Sequence, residues 1–364
     1  MVEWKKLGDV CEVLRGKRLT KSQLSETEGY PVLHGGSLPM GYYSEYNRKA
    51  NTTVVVNTGN AGCVFFYDKE FWSSDACFSL YPNEKVLDKF LYLYVYGCER
   101  ILKGKIRAGA MPTIDANAVE SLLIPIPSLS EQQRIVEQLD TFTTSIENLK
   151  EQIAQRRKQY EYYRDQLLNL EGKEGVEMKH ISDVAKNFTG LTYKPENVSN
   201  EGTLVLRSSN IDEDILAFDD NVFVQMAIPE RATVKENDIL ICVRNGSKRL
   251  VGKAAMITKK AEGMAFGAFM TILRCFEIDC KYLFFVWQSE RVKKQYKGDE
   301  AMPIAQITAK DFQRIIIPVP SLSEQQRIVS ILDTFEASIQ NLEAQLKQRE
   351  KQYEYYRNKL LTFE

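Results

Sequence analysis

The side chains best equipped to meet a charged or base-like partner gather in a few short stretches. Arg244, Asn245, Ser247, Lys248 and Arg249 form one polar turn. Arginine and lysine take phosphate oxygens or the guanine edge, and asparagine takes the adenine edge. Thr58, Gly59 and Asn60 form the corresponding turn in the first half of the chain, less basic but open to close backbone approach. Lys103, Lys105 and Arg107, and in the second half Lys293, Lys294 and Lys297, read as basic loops able to neutralise phosphates. Arg207, Ser209 and Asn210 complete the candidate set. Taken singly, each reads as a solvated surface group. The return of a basic loop at the same place in both halves is what favours a functional reading.

Other chemistries find little support. The chain has 364 residues, a net charge of −1 and only two histidines, His34 and His180. Overall charge therefore gives no sign of nucleic-acid binding, and any such site must be local. No G-x-x-x-x-G-K-[ST] loop or G-x-G-x-x-G turn is present. The seven cysteines include no C-x-x-C pair, so neither a zinc site nor a disulfide framework is expected, and reduced thiols in a cytoplasmic protein are. Acidic stretches such as Asp212 to Asp214 read as solvated loops. No apolar run reaches membrane-spanning length.

What must position these residues is a segment that occurs twice. The stretch from Ile124 to Leu170 aligns without a gap on that from Ile317 to Phe363, with roughly two-thirds of positions identical. Apolar and aromatic residues recur at Ile135, Leu139, Phe142, Ile146, Leu149, Ile153, Tyr160, Tyr163, Leu167 and Leu170, in steps of four and three, with Arg156 breaking the series. Ile328 to Phe363 repeat the pattern, with Arg349 at the break. This period predicts a long coiled-coil helix in each copy. Ser130 with Gln133, and Ser323 with Gln326, fit a capping box at each start. Two such helices in one chain bury each other's stripe. If the globular segments lie at opposite ends, the helices run antiparallel about a pseudo-twofold axis.

The duplication reaches the globular parts. Val2-Glu-Trp-Lys5 matches Val176-Glu-Met-Lys179, and Gly16 matches Gly190. Strands are expected at 52–56, 63–67 and 76–81, then a helix at 88–101; the second half repeats them at 239–243, 254–258, 268–275 and 281–292. Each basic loop is followed by Ala-Met-Pro, at 110–112 and 301–303. The reading is an α+β chain: two mixed α/β domains (1–126 and 172–319), each followed by a helix (127–171 and 320–364), with the two helices pairing as an antiparallel coiled coil. The helices stay nearly the same while the globular segments diverge. That points to one shared structural duty and two different recognition duties.

The Pro-x-Pro-x-x-x-Glu-Gln-Gln-Arg-Ile-Val approach to each helix, at 125–136 and 318–329, together with Ala-Met-Pro before it, resembles the specificity subunits of type I restriction–modification systems. The resemblance covers essentially the whole chain. It implies two target recognition domains that each read half of a bipartite, asymmetric DNA sequence. It further implies that the paired helices act as a ruler for the spacer and dock modification subunits, two in number. Those partners would carry S-adenosylmethionine and methylate adenine N6, and a restriction subunit would carry ATP and Mg. No catalysis or cofactor is expected in this chain. A coiled-coil scaffold that binds only proteins would explain the helices and the neutral charge, but not two unlike domains with basic loops at matching positions. A fused enzyme is disfavoured by the missing motifs.

Overall fold

The structure, a computed structural model, describes residues 2–36, 38–107, 109, 111–297 and 306–363. Ala110 and the second Ala-Met-Pro, Ala301 to Pro303, lie outside the described residues, as do the side chains of Lys248 and Lys297. The chain divides into two compact units, Met1–Glu151 with Glu343–Glu364, and Gln152–Leu342.

The first unit is built on a four-stranded antiparallel sheet in the order Cys11–Arg15, Cys77–Pro82, Thr52–Val56, Val64–Tyr67. The run Thr52 to Val56 is buried at every position, and β-branched side chains suit such a strand. A small sheet flanks it, with Tyr30–Leu33 paired in parallel to Trp72–Ser73 and antiparallel to Tyr42–Tyr43. Glu3–Lys6 pairs with Leu123–Ile126, the strand that leads into the first long helix.

The second unit repeats this plan. Its main sheet runs Ala185–Thr189, Met270–Cys275, Ile239–Cys242, Ala254–Met256. Thr203–Leu206 lies parallel to Ala265–Phe266, and Glu177–His180 pairs with Ile316–Val319 ahead of the second long helix. The matched glycines are close-packed. A Cβ on Gly16 would fall 2.2 Å from the carbonyl oxygens of Ser73 and Ser74, and one on Gly190 would fall 2.1 Å from that of Gly267. Backbone cannot yield at such distances, so the same residue is needed twice.

The sequence places three strands of each main sheet to within a residue or two; it misses the edge strands Cys11–Arg15 and Ala185–Thr189 and the small sheets, whose strands are too short to show periodicity. The expected helices 88–101 and 281–292 are each interrupted, giving Asp88–Gly97 and Glu99–Lys103, then Cys280–Gln288 and Glu290–Lys297. Cys275 and Cys280 form a disulfide, contrary to the expectation of reduced thiols alone. The end of one strand and the start of the next helix turn back on each other, leaving Cα atoms 5.7 Å apart. Sequence spacing does not reveal such a return.

The long helices span Leu129–Leu167 (39 residues) and Leu322–Leu361 (40 residues), each about 60 Å at 1.5 Å per residue. Their caps lie two residues earlier than expected. Glu131 N donates to Ser128 Oγ at 3.3 Å and Glu324 N to Ser321 Oγ at 3.4 Å, so the serine–glutamate spacing sets the start. Gln132 and Gln325 are buried clamps. Leu87 N donates to Gln132 Oε1 at 2.9 Å, and Gln132 Nε2 donates to Lys85 O at 2.8 Å. Asp279 N donates to Gln325 Oε1 at 2.9 Å.

Within each unit the helix segments run antiparallel. In the first, Phe142 stacks on Tyr356 with ring centroids 5.2 Å apart, and Arg349 lies over the same phenylalanine at 5.8 Å. In the second, Tyr163 stacks on Phe335 at 5.5 Å, and Arg156 covers it at 6.0 Å. The two arginines that break the heptad pattern thus cap a phenylalanine of the facing helix. Farther along, Ile135 and Leu139 join Tyr353, Leu360, Leu361 and Phe363 against the first globular core. Ile328 and Leu332 join Tyr160, Leu167, Leu168 and Leu170 against the second. Tyr160 Oη donates to Glu336 Oε1 at 3.3 Å. Burial pushes the Glu336 carboxyl above the ordinary glutamate range, with Lys281 opposing.

Two outcomes follow. A double-mutant cycle on Arg349→Ala and Phe142→Ala, read by urea unfolding, should return a coupling of about 0.5–1 kcal/mol. Folded Glu336 holds its proton more tightly than the unfolded chain does. Its contribution is therefore full below the unfolded pKa and lost as pH rises through the folded one. The stability of Glu336→Gln relative to wild type should accordingly rise from pH 4 to pH 7 in the same assay.

Candidate nucleic-acid interface

The candidate residues of the first unit cluster at one end of its sheet. The central strand ends at Val56, and the turn beyond it carries Thr58 and Asn60. Thr58 and Arg107 both bridge Thr113, which draws the basic loop against the turn. Lys103, the last residue of its helix, passes behind Gly62, where a Cβ would meet its Cγ at 3.1 Å. The cations are largely engaged. Lys103 pairs with Glu99 at 2.6 Å and Arg107 pairs with Asp115. Lys105 Nζ donates to Ser121 Oγ at 3.0 Å and Ala118 O at 3.2 Å.

In the second unit the equivalent turn holds Arg244, Asn245 and Arg249. The equivalence is set by backbone hydrogen bonds. Asn57 N and Thr58 N donate to Ala76 O at 2.9 and 3.4 Å; Val243 N and Arg244 N donate to Phe269 O at 3.0 and 3.2 Å. Ile114 N donates to Asn57 O at 2.9 Å, as Ile307 N does to Val243 O at 2.8 Å. Thr58 bridges Thr113 as Arg244 bridges Gln306. One frame thus carries Thr58 and Ala76 in the first unit, and Arg244 and Phe269 in the second. The parallel strands end beside it at His34 and at Arg207.

Arg207 pairs with Asp220 at 2.9 Å, and with Tyr193, Ser208, Ser209 and Phe269 these residues line a cleft of about 530 Å³. Asn245 Nδ2 donates to Ser208 Oγ at 3.0 Å, while its Oδ1 accepts from Ser247 N at 2.9 Å. Asn245 therefore ties the turn to the cleft wall. Arg244 and Arg249 are exposed, and among the described residues neither has a carboxylate partner.

Two expectations need correction. Asn210 is fully buried at 0% exposure, and its Nδ2 donates to Ala217 O at 3.1 Å and Asp220 O at 3.2 Å. Its Oδ1 accepts from Arg207 N at 2.9 Å. Every polar atom is spent on the loop, so Asn210 supports the site and does not reach outward. Lys293, Lys294 and Lys297 lie on the helix Glu290–Lys297 and not on a loop. Val292 and Tyr296, one turn apart, are buried in the core, and Tyr296 stacks on Trp287 at 5.1 Å, which holds the segment helical. Lys293 pairs with Glu290 at 3.0 Å, and Lys294 faces solvent. Phe269, Tyr193 and His34 join the site from outside the candidate set. Neither Phe269 nor Tyr193 carries a charge that would single it out, and His34 stands apart from any basic stretch, so only the shared frame reveals them.

The comparisons agree with this duplicated plan. The family model described as type I restriction modification DNA specificity domain matches residues 1–156 and again 173–350. A putative type I specificity subunit of Mycoplasma pneumoniae is 24% identical, over 98% of this chain and 97% of its own. The specificity subunit of an Escherichia coli type I restriction enzyme is 27% identical, over 100% of this chain and 94% of its own. The crystal structure of a type I restriction–modification S subunit from M. genitalium superposes with a TM-score of 0.64 at 19% identity, over 100% of this chain and 97% of that one, and so shares the fold.

Removal of Asn210 should test its supporting role. Asn210→Ala leaves several backbone groups unpaired and should cost about 1–3 kcal/mol in urea unfolding. Among variants that still fold, the preference between DNA sequences should be unchanged.

Proposed function

Because the chain belongs to the family of type I restriction–modification DNA specificity subunits, we propose that each of its globular domains reads one half of a bipartite, asymmetric DNA target. The paired helices set the unread spacer and dock adenine-N6 methyltransferase (modification) subunits, two per chain. S-adenosylmethionine is held by those partners, ATP and Mg by restriction subunits, and none of them by this chain. The complex works in the cytoplasm. Among the described residues no helix is long and apolar enough to cross a membrane.

The observation that carries this reading is the contrast between frame and side chains. The same backbone hydrogen bonds hold Thr58 and Ala76 in one unit and Arg244 and Phe269 in the other. A frame kept while its exposed side chains differ suits two readers of two sequences. Phosphate contacts add affinity without sequence preference, so the differing positions are the ones that specify.

Docking of two like partners draws support from exposed apolar groups that recur at matched positions. Leu129 and Leu322 open the two helices in solvent, Tyr162 and Tyr355 stand out near their far ends, and Trp4 matches Met178. Equivalent surfaces presented twice suit two copies of one partner.

Methylome sequencing of the host, with and without this chain, tests the proposal. Loss of one bipartite adenine-methylation motif is expected. Deleting one heptad from each long helix, at matched positions, should then change the accepted spacer and leave both half-sites intact. An unchanged methylome in either experiment would refute the corresponding role.

A further inference from the structure

We infer that Arg244 and Phe269 act together as a base-reading pair of the second domain, Arg244 taking the major-groove edge of a guanine and Phe269 the methyl group of a neighbouring thymine. The inference rests on the DNA-reading role proposed above and deepens it.

The guanidinium of Arg244 lies over the Phe269 ring, 5.3 Å from its centroid. Both residues are rooted in one hydrogen-bonded junction, with Val243 N and Arg244 N donating to Phe269 O at 3.0 and 3.2 Å. The pair is therefore held from backbone to tip. An arginine laid against a ring keeps its N–H edge free and loses little freedom when it binds. Guanine O6 and N7 accept such an edge bidentately, and the thymine methyl suits an apolar ring. A separation of 5.3 Å matches groups one or two base steps apart, given about 3.4 Å per step.

Arg244, like Arg249, differs in its charge pairing from several of the other candidate cations. Arg207 is paired with Asp220, Arg107 with Asp115, Lys103 with Glu99 and Lys293 with Glu290. Among the described residues Arg244 has no carboxylate partner. Phe269 is 58% exposed, although neighbouring Met270 and Phe266 are buried. The frame does not require this bulk, because Ala76 fills the same position in the first unit. Its size and its exposure remain without a packing reason. The adjacent cleft, lined by Tyr193, Arg207, Ser208 and Ser209, leaves room on the far side of the ring for a base edge or sugar.

The test uses the full chain assembled with its modification subunits and duplexes that carry the motif methylated in the host. In one series each guanine of the second half-site is replaced by 7-deazaguanine, which lacks the N7 acceptor. In the other each thymine is replaced by deoxyuridine, which lacks the methyl. Wild type should lose affinity on the order of 10-fold at one guanine and several-fold at a neighbouring thymine. Arg244→Ala should be indifferent to the first replacement and Phe269→Ala to the second, while both keep full response to changes in the first half-site. Both side chains are exposed, and circular dichroism with co-purification of the modification subunits confirms that the variants fold and assemble.

Variants that retain the wild-type responses overturn the pair and leave the general DNA-reading role standing. So does an Arg244→Ala variant that weakens every duplex alike with a shallower salt dependence, the mark of a phosphate anchor. A second half-site without guanine overturns it too. A wild-type complex that does not distinguish its motif from a scrambled duplex overturns the DNA-reading role itself, and the pair with it.

Discussion

Each globular core in this chain is closed by the last turns of a long helix, and for the first core those turns come from far away in sequence. The first is sealed by Leu360, Leu361 and Phe363, with Phe90 and Phe363 meeting edge to face at 6.3 Å. The second is sealed by Leu167, Leu168 and Leu170. Leu168 and Leu170 are fully buried and the others partly so; a fully buried leucine contributes about 1.5–3 kcal/mol, a sizeable share of an ordinary domain's stability. The long helices are thus structural members of both cores as well as partners of one another. Helix start, helix end and globular sheet stand or fall together. The buried glutamines at the two helix starts fix the joint between sheet and helix by hydrogen bonds to the loop ahead of the neighbouring helix.

On this fixed base the strand ends are free to differ. The junction at Ala76 and at Phe269 is made by the same backbone bonds, so a change of side chain there costs the fold little. The chain as a whole is close to neutral, and Lys103, Arg107, Arg207 and Lys293 are each matched by a nearby carboxylate. Such pairing keeps the surface soluble and limits indiscriminate attraction to polyanions. The unmatched cations then carry more meaning than the total charge does. Asn210, fully buried, holds its loop from behind, and Asn245 ties the turn to the cleft wall.

The sequence was legible where a pattern repeats over many residues. Heptads at Ile135, Leu139, Phe142 and Ile146 declared the long helices, and the β-branched run at Thr52–Val56 declared a central strand. The internal copy doubled each signal. Features set by single contacts in space were hidden. The start at Ser128 was read at Ser130 because two serines compete within one turn and only the hydrogen bond decides. Arg156 and Arg349 read as breaks in a stripe, since their role needs the facing phenylalanine. The lysines of Glu290–Lys297 read as a loop because charge outweighed the two buried residues, Val292 and Tyr296, that hold the helix. Asn210 read as a surface group, although burial had already spent its amide. The Cys275–Cys280 bond and Phe269 depend on strand ends meeting, which composition does not reveal.

The way the first core is closed has a consequence for synthesis. A ribosome makes the Thr52–Val56 strand and its neighbours long before it makes Leu360 and Phe363. The domain that emerges first is therefore the one finished last. Until then its apolar flank lies open to chaperones, or to the matching helix tail of another nascent chain. Completion of the first domain is gated by the emergence of the second helix's last turns, and polysomes crowded with such unfinished heads are where mispairing between chains would arise.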